Sequence, residues 1–465
     1  MKQILMCVLA ASLSTAVVAQ EKFELGKPNN SNYRYLDDFK ALKNYINYEK
    51  YPNFKLGIGT TVNDYFSNTT FRNLVNKNFT ETVAGNAMKM GSCVDGSGNM
   101  NFDNVKRYVK AATEAGLHVY GHTLAWHSQQ PNAWLRSLVN GKSQQERHDT
   151  LVYAMDKWIK GMMEACEGKV KAWDLVNEAL AGEGNDGEGN YVLQHSSGYK
   201  SGTWDVGGDS FYWQDHLGDL DYVRQACRLA RKYGPDDVKL FINDYNLESD
   251  WDGNKKVKSL VNWIKKWEAD GETHIDGIGT QMHICCFEDD NTLNSIKQHI
   301  TTMFEVMAAS GKLCRISEMD MGYVRGTNNR WGDKIKTAQL TEAEHQKMAD
   351  FYEWIIKEYL RVIPAEQQWG ICQWCPTDVP DAQYMWRRGE PVGIWDINYY
   401  RKHAYAGFVR GLGGQVTNSI GTPNTDATTA TPKGIYTLDG TRLSTKNIHE
   451  LPHGIYIVDG KKLVR

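Results

Sequence analysis

Between residues 55 and 376, short apolar runs recur eight times with amphipathic stretches between them. The runs occupy residues 55–62, 79–84, 117–125, 172–176, 239–242, 277–283, 314–319 and 368–373. Residues 102–115, 144–165, 221–233, 254–269, 292–309 and 341–359 carry apolar side chains at helical spacing. A strand that must return through a helix before the next strand pairs with it in parallel. Eight such units predict an α/β fold, a (β/α)8 TIM barrel.

That architecture states where chemistry should lie, because barrel sites form at the C-terminal ends of the strands. His122, Trp126 and His127 fall late in the third run, and Asn177 and Glu178 end the fourth. Asn243 and Asp244 end the fifth, Gln281 and His283 lie on the sixth, and Glu318 and Asp320 on the seventh. Polar residues gather at any wet strand end, but Ser, Lys or Gly would serve that purpose equally. This set is carboxylate, amide, imidazole and indole. Cleaving a glycosidic bond needs one carboxyl group to protonate the leaving oxygen, and a second to attack the anomeric carbon or activate water. Glu178 and Glu318 are expected to meet on one barrel face for that work. Asn177 offers an amide to a sugar hydroxyl. His283 is expected to hold Glu318 charged and oriented, with Asp320 as the partner of its imidazole. A solitary histidine there would read as a satisfied core residue; beside a carboxylate on the next strand it reads as functional.

The chain ends read differently from the barrel at 20–412. Lys2, the mostly apolar residues 4–18 and Ala19 before Gln20 predict an export signal over 1–19. That run is short for a membrane span. Residues 413–433, rich in Gly, Thr, Asn and Ala, read as a flexible linker. Residues 434–465 contain a duplication, Gly434-Ile-Tyr-Thr-Leu-Asp-Gly440 and Gly454-Ile-Tyr-Ile-Val-Asp-Gly460. The Asp-Gly pairs are hairpin signals, which predicts a short C-terminal β-hairpin module. With 53 Lys and Arg against 56 Asp and Glu and no basic stripe, nucleic acid is not an expected partner. Cys372 and Cys375 form a C-x-x-C, but no second such pair completes a zinc site, so the cysteines read as small buried hydrophobes. No metal or cofactor is expected. Trp204, Trp213 and Trp386 stand in loops and are candidates for ligand contact, and Tyr199 to Trp204 with Phe211 to Trp213 either line the cleft or cap the barrel.

Ordered motifs then support a resemblance. Gly121-His-Thr-Leu-Ala-Trp-His-Ser-Gln129, Trp173-Asp-Leu-Val-Asn-Glu178, Phe241-Ile-Asn-Asp-Tyr-Asn246, Gly277-Ile-Gly-Thr-Gln-Met-His283 and Ile316-Ser-Glu-Met-Asp320 follow one another. Trp369-Gly370, Trp386-Arg387 and Lys402-His-Ala-Tyr405 complete the series. The chain resembles glycoside hydrolase family 10, the endo-β-1,4-xylanases, across nearly all of residues 55–410. The resemblance implies Glu178 as acid/base, Glu318 as nucleophile and His283 as the group that orients it. It implies that Asn177 binds the sugar 2-hydroxyl and that His122, Trp126, Gln129 and Gln281 line the same subsite. Asn86 and Lys89 would grip the next sugar toward the non-reducing end, and Trp386 would roof the reacting sugar. It further implies retention through a covalent glycosyl-enzyme, with carboxylates ~5 Å apart. One motif departs: Gly85-Asn-Ala-Met-Lys-Met90 has Gly and Met where the family pattern has Glu and Trp.

The expected substrate is plant cell-wall xylan and xylo-oligosaccharides. The protein is expected to be a monomer, exported to the extracellular space, the cell surface or the periplasm. The C-terminal duplication resembles the sorting tails of Bacteroidetes-type bacteria, with a small sugar-binding module as the competing reading. Two rival functions share these features: a β-1,4-glucanase on the same barrel, and a non-catalytic polysaccharide-binding surface protein.

Overall fold

The computed structural model describes residues 20–196, 210–326 and 334–415, with short stretches between 435 and 464. The expected leader at 1–19, most of the expected linker and the candidate stretch Tyr199 to Trp204 lie outside the described residues.

Eight parallel strands form the barrel: β1 Lys55–Gly59, β2 Glu81–Val83, β3 His118–Tyr120, β4 Ala172–Asn177, β5 Lys239–Asp244, β6 Gly277–Thr280, β7 Leu313–Val324 and β8 Gln368–Gln373. Apart from β3 and β4, each pairs with its sequence neighbour, and β8 returns to β1. Between β3 and β4 the seam is held by parallel bridges, Gly121 to Trp173 and Ala125 to Val176. The main helix after each strand, in order, is α1 Thr69–Asn78, α2 Asp103–Glu114, α3 Gln144–Cys166, α4 Asp221–Tyr233, α5 Lys255–Glu268, α6 Asp290–Ala309, α7 Glu342–Val362 and α8 His403–Gly411. Helices α3 and α7 open on reciprocal caps, Ser143 with Glu146 and Thr341 with Glu344, which satisfy first-turn N–H groups that lack helical partners.

The barrel interior is filled, not hollow. Val83, Tyr120, Ala172, Phe241 and Cys372 pack together on its axis. Gly277 leaves room for the Phe241 ring, which a Cβ there would strike. Arg315 and Glu81 form a buried ion pair in the same layer, with the guanidinium 3.8 Å from the centroid of the Tyr120 ring. Two charges in such a place persist only when well paired, and Trp369 Nε1 adds a hydrogen bond of 3.1 Å to Glu81.

The sixth run differs from expectation. It does not continue through 277–283 as one strand. Strand β6 stops at Thr280, Met282 takes a left-handed conformation (φ 54°), and a separate strand His283–Phe287 begins beyond it. That strand pairs in parallel with Asp320 to Val324, which lengthens β7 well past the expected 319. The kink seats His283 directly opposite Asp320.

Residues 20–54 belong to the barrel unit. Arg401 donates to the Leu36 and Phe39 carbonyls at 2.7 and 2.8 Å, and Trp395 Nε1 to the Phe23 carbonyl at 2.9 Å. The chain divides into two compact units, 1–416 and 417–465. In the second, Ile435–Thr437, Ile455–Val458 and Lys461–Val464 form an antiparallel sheet. The two repeats thus pair with one another, Ile435 opposite Val458, and Val458 opposite Lys461 brackets Asp459-Gly460 in sequence. Among the described residues no helix is long and apolar enough to cross a membrane.

Candidate active site

The floor of the site is a chain of amides at the rim of neighbouring strands. Asn243, ending β5, donates through Nδ2 to Asn177 Oδ1 at 2.8 Å and to Glu318 Oε1 at 2.9 Å. Ser317 fixes that amide by donating to its Oδ1 at 2.6 Å. Asn177 in turn donates to Glu178 Oε1 at 3.2 Å. The two glutamates are thereby tied together through two asparagines.

Glu178 follows β4 in a left-handed conformation (φ 56°), with its N–H bonded to the Asn243 carbonyl at 2.7 Å. A non-glycine residue in that region is uncommon and costs conformational energy. The turn presents the carboxyl group to Trp126 Nε1, at 2.9 Å from Oε2, and to Gln281 Nε2, at 2.9 Å from Oε1. His127 stands 4.0 Å from Oε2 and stacks on Tyr212.

Glu318 lies within β7, its side chain only 8% exposed. His283 Nε2 approaches Oε2 at 3.4 Å, and His283 Nδ1 stands 3.0 Å from Asp320 Oδ2. Burial opposes ionisation of Glu318, yet the His283 hydrogen bond and the neighbouring His122, His283 and Lys89 outweigh it and hold the carboxyl down to about 2. Burial likewise opposes the His283 charge, but Asp320 and then Glu318 prevail and raise it to about 10. Asp320 is itself held down to about 2 against burial by His283, Arg387 and the Trp386 N–H. The result is a buried carboxylate kept charged and aimed by an imidazolium.

Asp320 also fastens the roof. Trp386 Nε1 donates to Oδ2 at 2.7 Å and Arg387 to Oδ1 at 2.6 Å. The Trp386 ring meets His283 edge-on, with centroids 4.8 Å apart.

On the opposite flank, His122 Nδ1 is 2.8 Å from Asp174 Oδ2, whose other oxygen accepts from Tyr120 at 2.7 Å. Lys89 donates to Asn86 Oδ1 at 2.9 Å and to Gln129 Oε1 at 3.0 Å, and lies 4.9 Å from the Trp126 ring centroid. Burial lowers the Lys89 ammonium from its ordinary value, opposed by Glu318 and Glu178. Gly85 has a left-handed φ of 54°, and a Cβ there would meet the Thr60 carbonyl oxygen at 2.7 Å. Met90 is buried in the core.

The structure thus brings together Glu178, Glu318, Asn86, Lys89, His122, Trp126, Gln129, Asn177, Gln281, His283, Asp320 and Trp386 in one cleft. One candidate fails: Trp213 is buried, its Nε1 bonded to Gln130 at 2.9 Å, and Phe211 and Tyr212 are buried beside it, so this stretch caps the barrel. Trp204 lies outside the described residues. Two contributors carried no role in the sequence reading. Asn243 stood among the strand-end polar residues, and Arg387 beside Trp386, but only their spatial partners reveal what they do. Among the described residues no group of three or more His, Cys, Asp or Glu is arranged to hold a metal ion.

Comparison with known proteins agrees with this geometry. The model of "Glycosyl hydrolase family 10" matches residues 47–410. Endo-beta-1,4-xylanase Xyn10C of Cellvibrio japonicus is 30% identical over 385 residues, 79% of this chain and 57% of that protein. Endo-1,4-beta-xylanase A of Cellvibrio japonicus (strain Ueda107) is 30% identical over 375 residues, 78% of this chain and 56% of its own length. The chain thus spans little more than half of these relatives. A solved structure of a Cellvibrio japonicus xylanase10C mutant in complex with xylopentaose superposes with a TM-score of 0.65 at 26% identity, covering 82% of this chain and 71% of that one.

Proposed function

The chain belongs to glycosyl hydrolase family 10, and we propose that it is a retaining endo-β-1,4-xylanase that cuts the xylan backbone through a covalent glycosyl-enzyme. The observation that carries this reading is the pair of glutamates joined through Asn177 and Asn243, one of them held ionised by His283. The xylanase names of the relatives support the substrate.

In the first step a Glu318 oxygen bonds to the anomeric carbon as the bond from that carbon to the leaving oxygen breaks. Glu178 gives its proton to that oxygen. In the second step water attacks the same carbon, Glu178 takes the proton from water, and the bond to Glu318 breaks. His283 keeps Glu318 ionised before attack. Trp126 and Gln281 fix the plane of the Glu178 carboxyl, and Asn177 faces the sugar 2-hydroxyl, a contact that strengthens as positive charge develops. His122 and Gln129 line the subsite of the reacting sugar, Asn86 and Lys89 hold the next sugar toward the non-reducing end, and Trp386 covers the reacting ring. The chemistry uses no metal or cofactor.

Export belongs to the same proposal. The leader-like residues 1–19 and the tail duplication support secretion and sorting, and a mature protein beginning at Gln20 would test the first. The protein is proposed to act as a monomer.

The functional test is release of reducing sugar from glucuronoxylan and from carboxymethylcellulose by wild type, Glu178→Ala and Glu318→Ala, with azide as external nucleophile. Wild type should prefer xylan. From an activated aryl β-xyloside, Glu178→Ala with azide should yield the β-azide and Glu318→Ala the α-azide. Action on glucan alone would overturn the substrate, and binding without cleavage would overturn the enzyme.

A further inference from the structure

The connection from β8 to α8 carries three consecutive apolar side chains in the open. Tyr384 is 94% exposed, Met385 46% and Trp386 49%. Leaving such area in water gains nothing for folding, and contiguous exposed apolar side chains mark contact surfaces. The segment is held firmly from below. Arg388 pairs with Asp381 at 2.7 Å, Gly389 N–H bonds the Val379 carbonyl at 3.1 Å, and Trp386 and Arg387 are both fixed to Asp320. Both arginines thus turn their charge to carboxylates. Tyr384 has a left-handed φ of 66°, a conformation that costs energy at a non-glycine residue.

The exposed run includes Trp386, the roof of the reacting subsite. Trp386 abuts His283, and Tyr384 is two residues away, within ~7 Å along the chain. A protein partner would cover roughly 800 Å² on each side, far more than three side chains at a loop tip supply. A sugar ring, with an apolar C–H face and hydroxyls at its edge, matches one exposed aromatic ring with a phenol at its end.

We propose that Tyr384, with Met385 beside it, is a sugar-binding platform for a ring of the bound polysaccharide next to the one under Trp386. This rests on the reading of the cleft as a polysaccharide site. The ring is either the next backbone sugar or a branch carried on it.

The test compares kcat/KM of wild type, Tyr384→Ala and Tyr384→Phe on an aryl β-xyloside, which places a single sugar under Trp386, linear xylohexaose and a glucuronate-branched xylo-oligosaccharide. For Tyr384→Ala the ratio of oligosaccharide to aryl xyloside activity should fall between about twofold and tenfold, the size of one aromatic contact. Tyr384→Phe should keep the wild-type ratio. A fall with xylohexaose identifies a backbone sugar, and a fall with the branched substrate alone identifies a branch. An unchanged ratio on both overturns the platform. If wild type cuts cellohexaose and no xylan substrate, the xylan reading fails, and the ratio of cellohexaose to aryl glucoside then decides the platform by the same criterion. If it cuts neither, retardation in gels containing soluble xylan decides, and equal retardation of wild type and Tyr384→Ala overturns it.

Discussion

Replacing His283 should transfer control of the acidic limit of activity to Glu318. The nucleophile's carboxyl is held from 4.5 down to about 2 although burial pushes the other way. At 1.36 kcal/mol per pH unit, that gap corresponds to roughly 3 kcal/mol of preference for the ionised form. His283, raised to about 10, carries its charge throughout the neutral range. In His283→Ala both His283 contributions disappear while burial and the lowering by His122 and Lys89 remain, so the carboxyl should rise from about 2 toward its ordinary 4.5. The acidic limb of kcat/KM against pH should therefore move upward into that region, with His283→Gln, which keeps a donor but no charge, between the two. At pH 7 Glu318 still ionises, and the residual loss should reflect orientation, about 1.5–3 kcal/mol for a hydrogen bond to a charged group. The sign for stability is separate. A depressed carboxyl contributes above its unfolded value and loses this as pH falls toward about 2; a raised imidazole contributes below 6.5 and loses this as pH rises through about 10. Both contributions are complete between 4.5 and 6.5, where His283→Ala should show its largest deficit in thermal unfolding. An acidic limb of His283→Ala superimposable on that of wild type would refute the reasoning.

Asn243→Ala cuts two of the three hydrogen bonds that join the glutamates and should lower kcat by about tenfold to a hundredfold, with KM less affected, in steady-state kinetics. Arg387→Met leaves Asp320 with less compensation in the interior and should cost about 3–5 kcal/mol in denaturant unfolding; Arg387→Lys should restore little, because one ammonium cannot reach Asp320, Glu390 and the Ile284 carbonyl together. His195 lies between Asp215 at 2.7 Å and Asp219 at 2.9 Å, and the hydrogen bonds it donates to those carboxylates raise it to about 9. Its contribution is complete below 6.5 and is lost as pH rises through about 9, so differential scanning fluorimetry should show wild type converging on His195→Gln in that interval.

The barrel was legible because its signal is periodic. Eight apolar runs at helix-sized spacing leave little other than parallel closure, and Glu178 stands just past the end of β4 as that closure requires, while Glu318 lies inside a β7 longer than its apolar run. The failures were local. A methionine at φ 54° gives no warning of a turn, so the break at Met282, and the second strand that seats His283, could not be read. Trp213 in a glycine-rich stretch looks available for ligand until Gln130 is found against it, 83 residues away in sequence. Arg387 acts on Asp320 across 67 residues, a separation that leaves no trace in local pattern. Asn243 was visible as a polar strand end, but whether it points to solvent or bridges two carboxylates depends on the register of β5 against β4 and β6.

The division of labour between the two glutamates is most directly tested by incubating the protein with an activated 2-deoxy-2-fluoro-β-xylobioside, digesting it and locating the added mass by peptide fragmentation. A 2-fluoro sugar slows both steps while its good leaving group preserves the first, so the covalent intermediate accumulates. A label on Glu318 is the expected result. A label on Glu178, or turnover of xylan with no covalent species at all, would contradict the account.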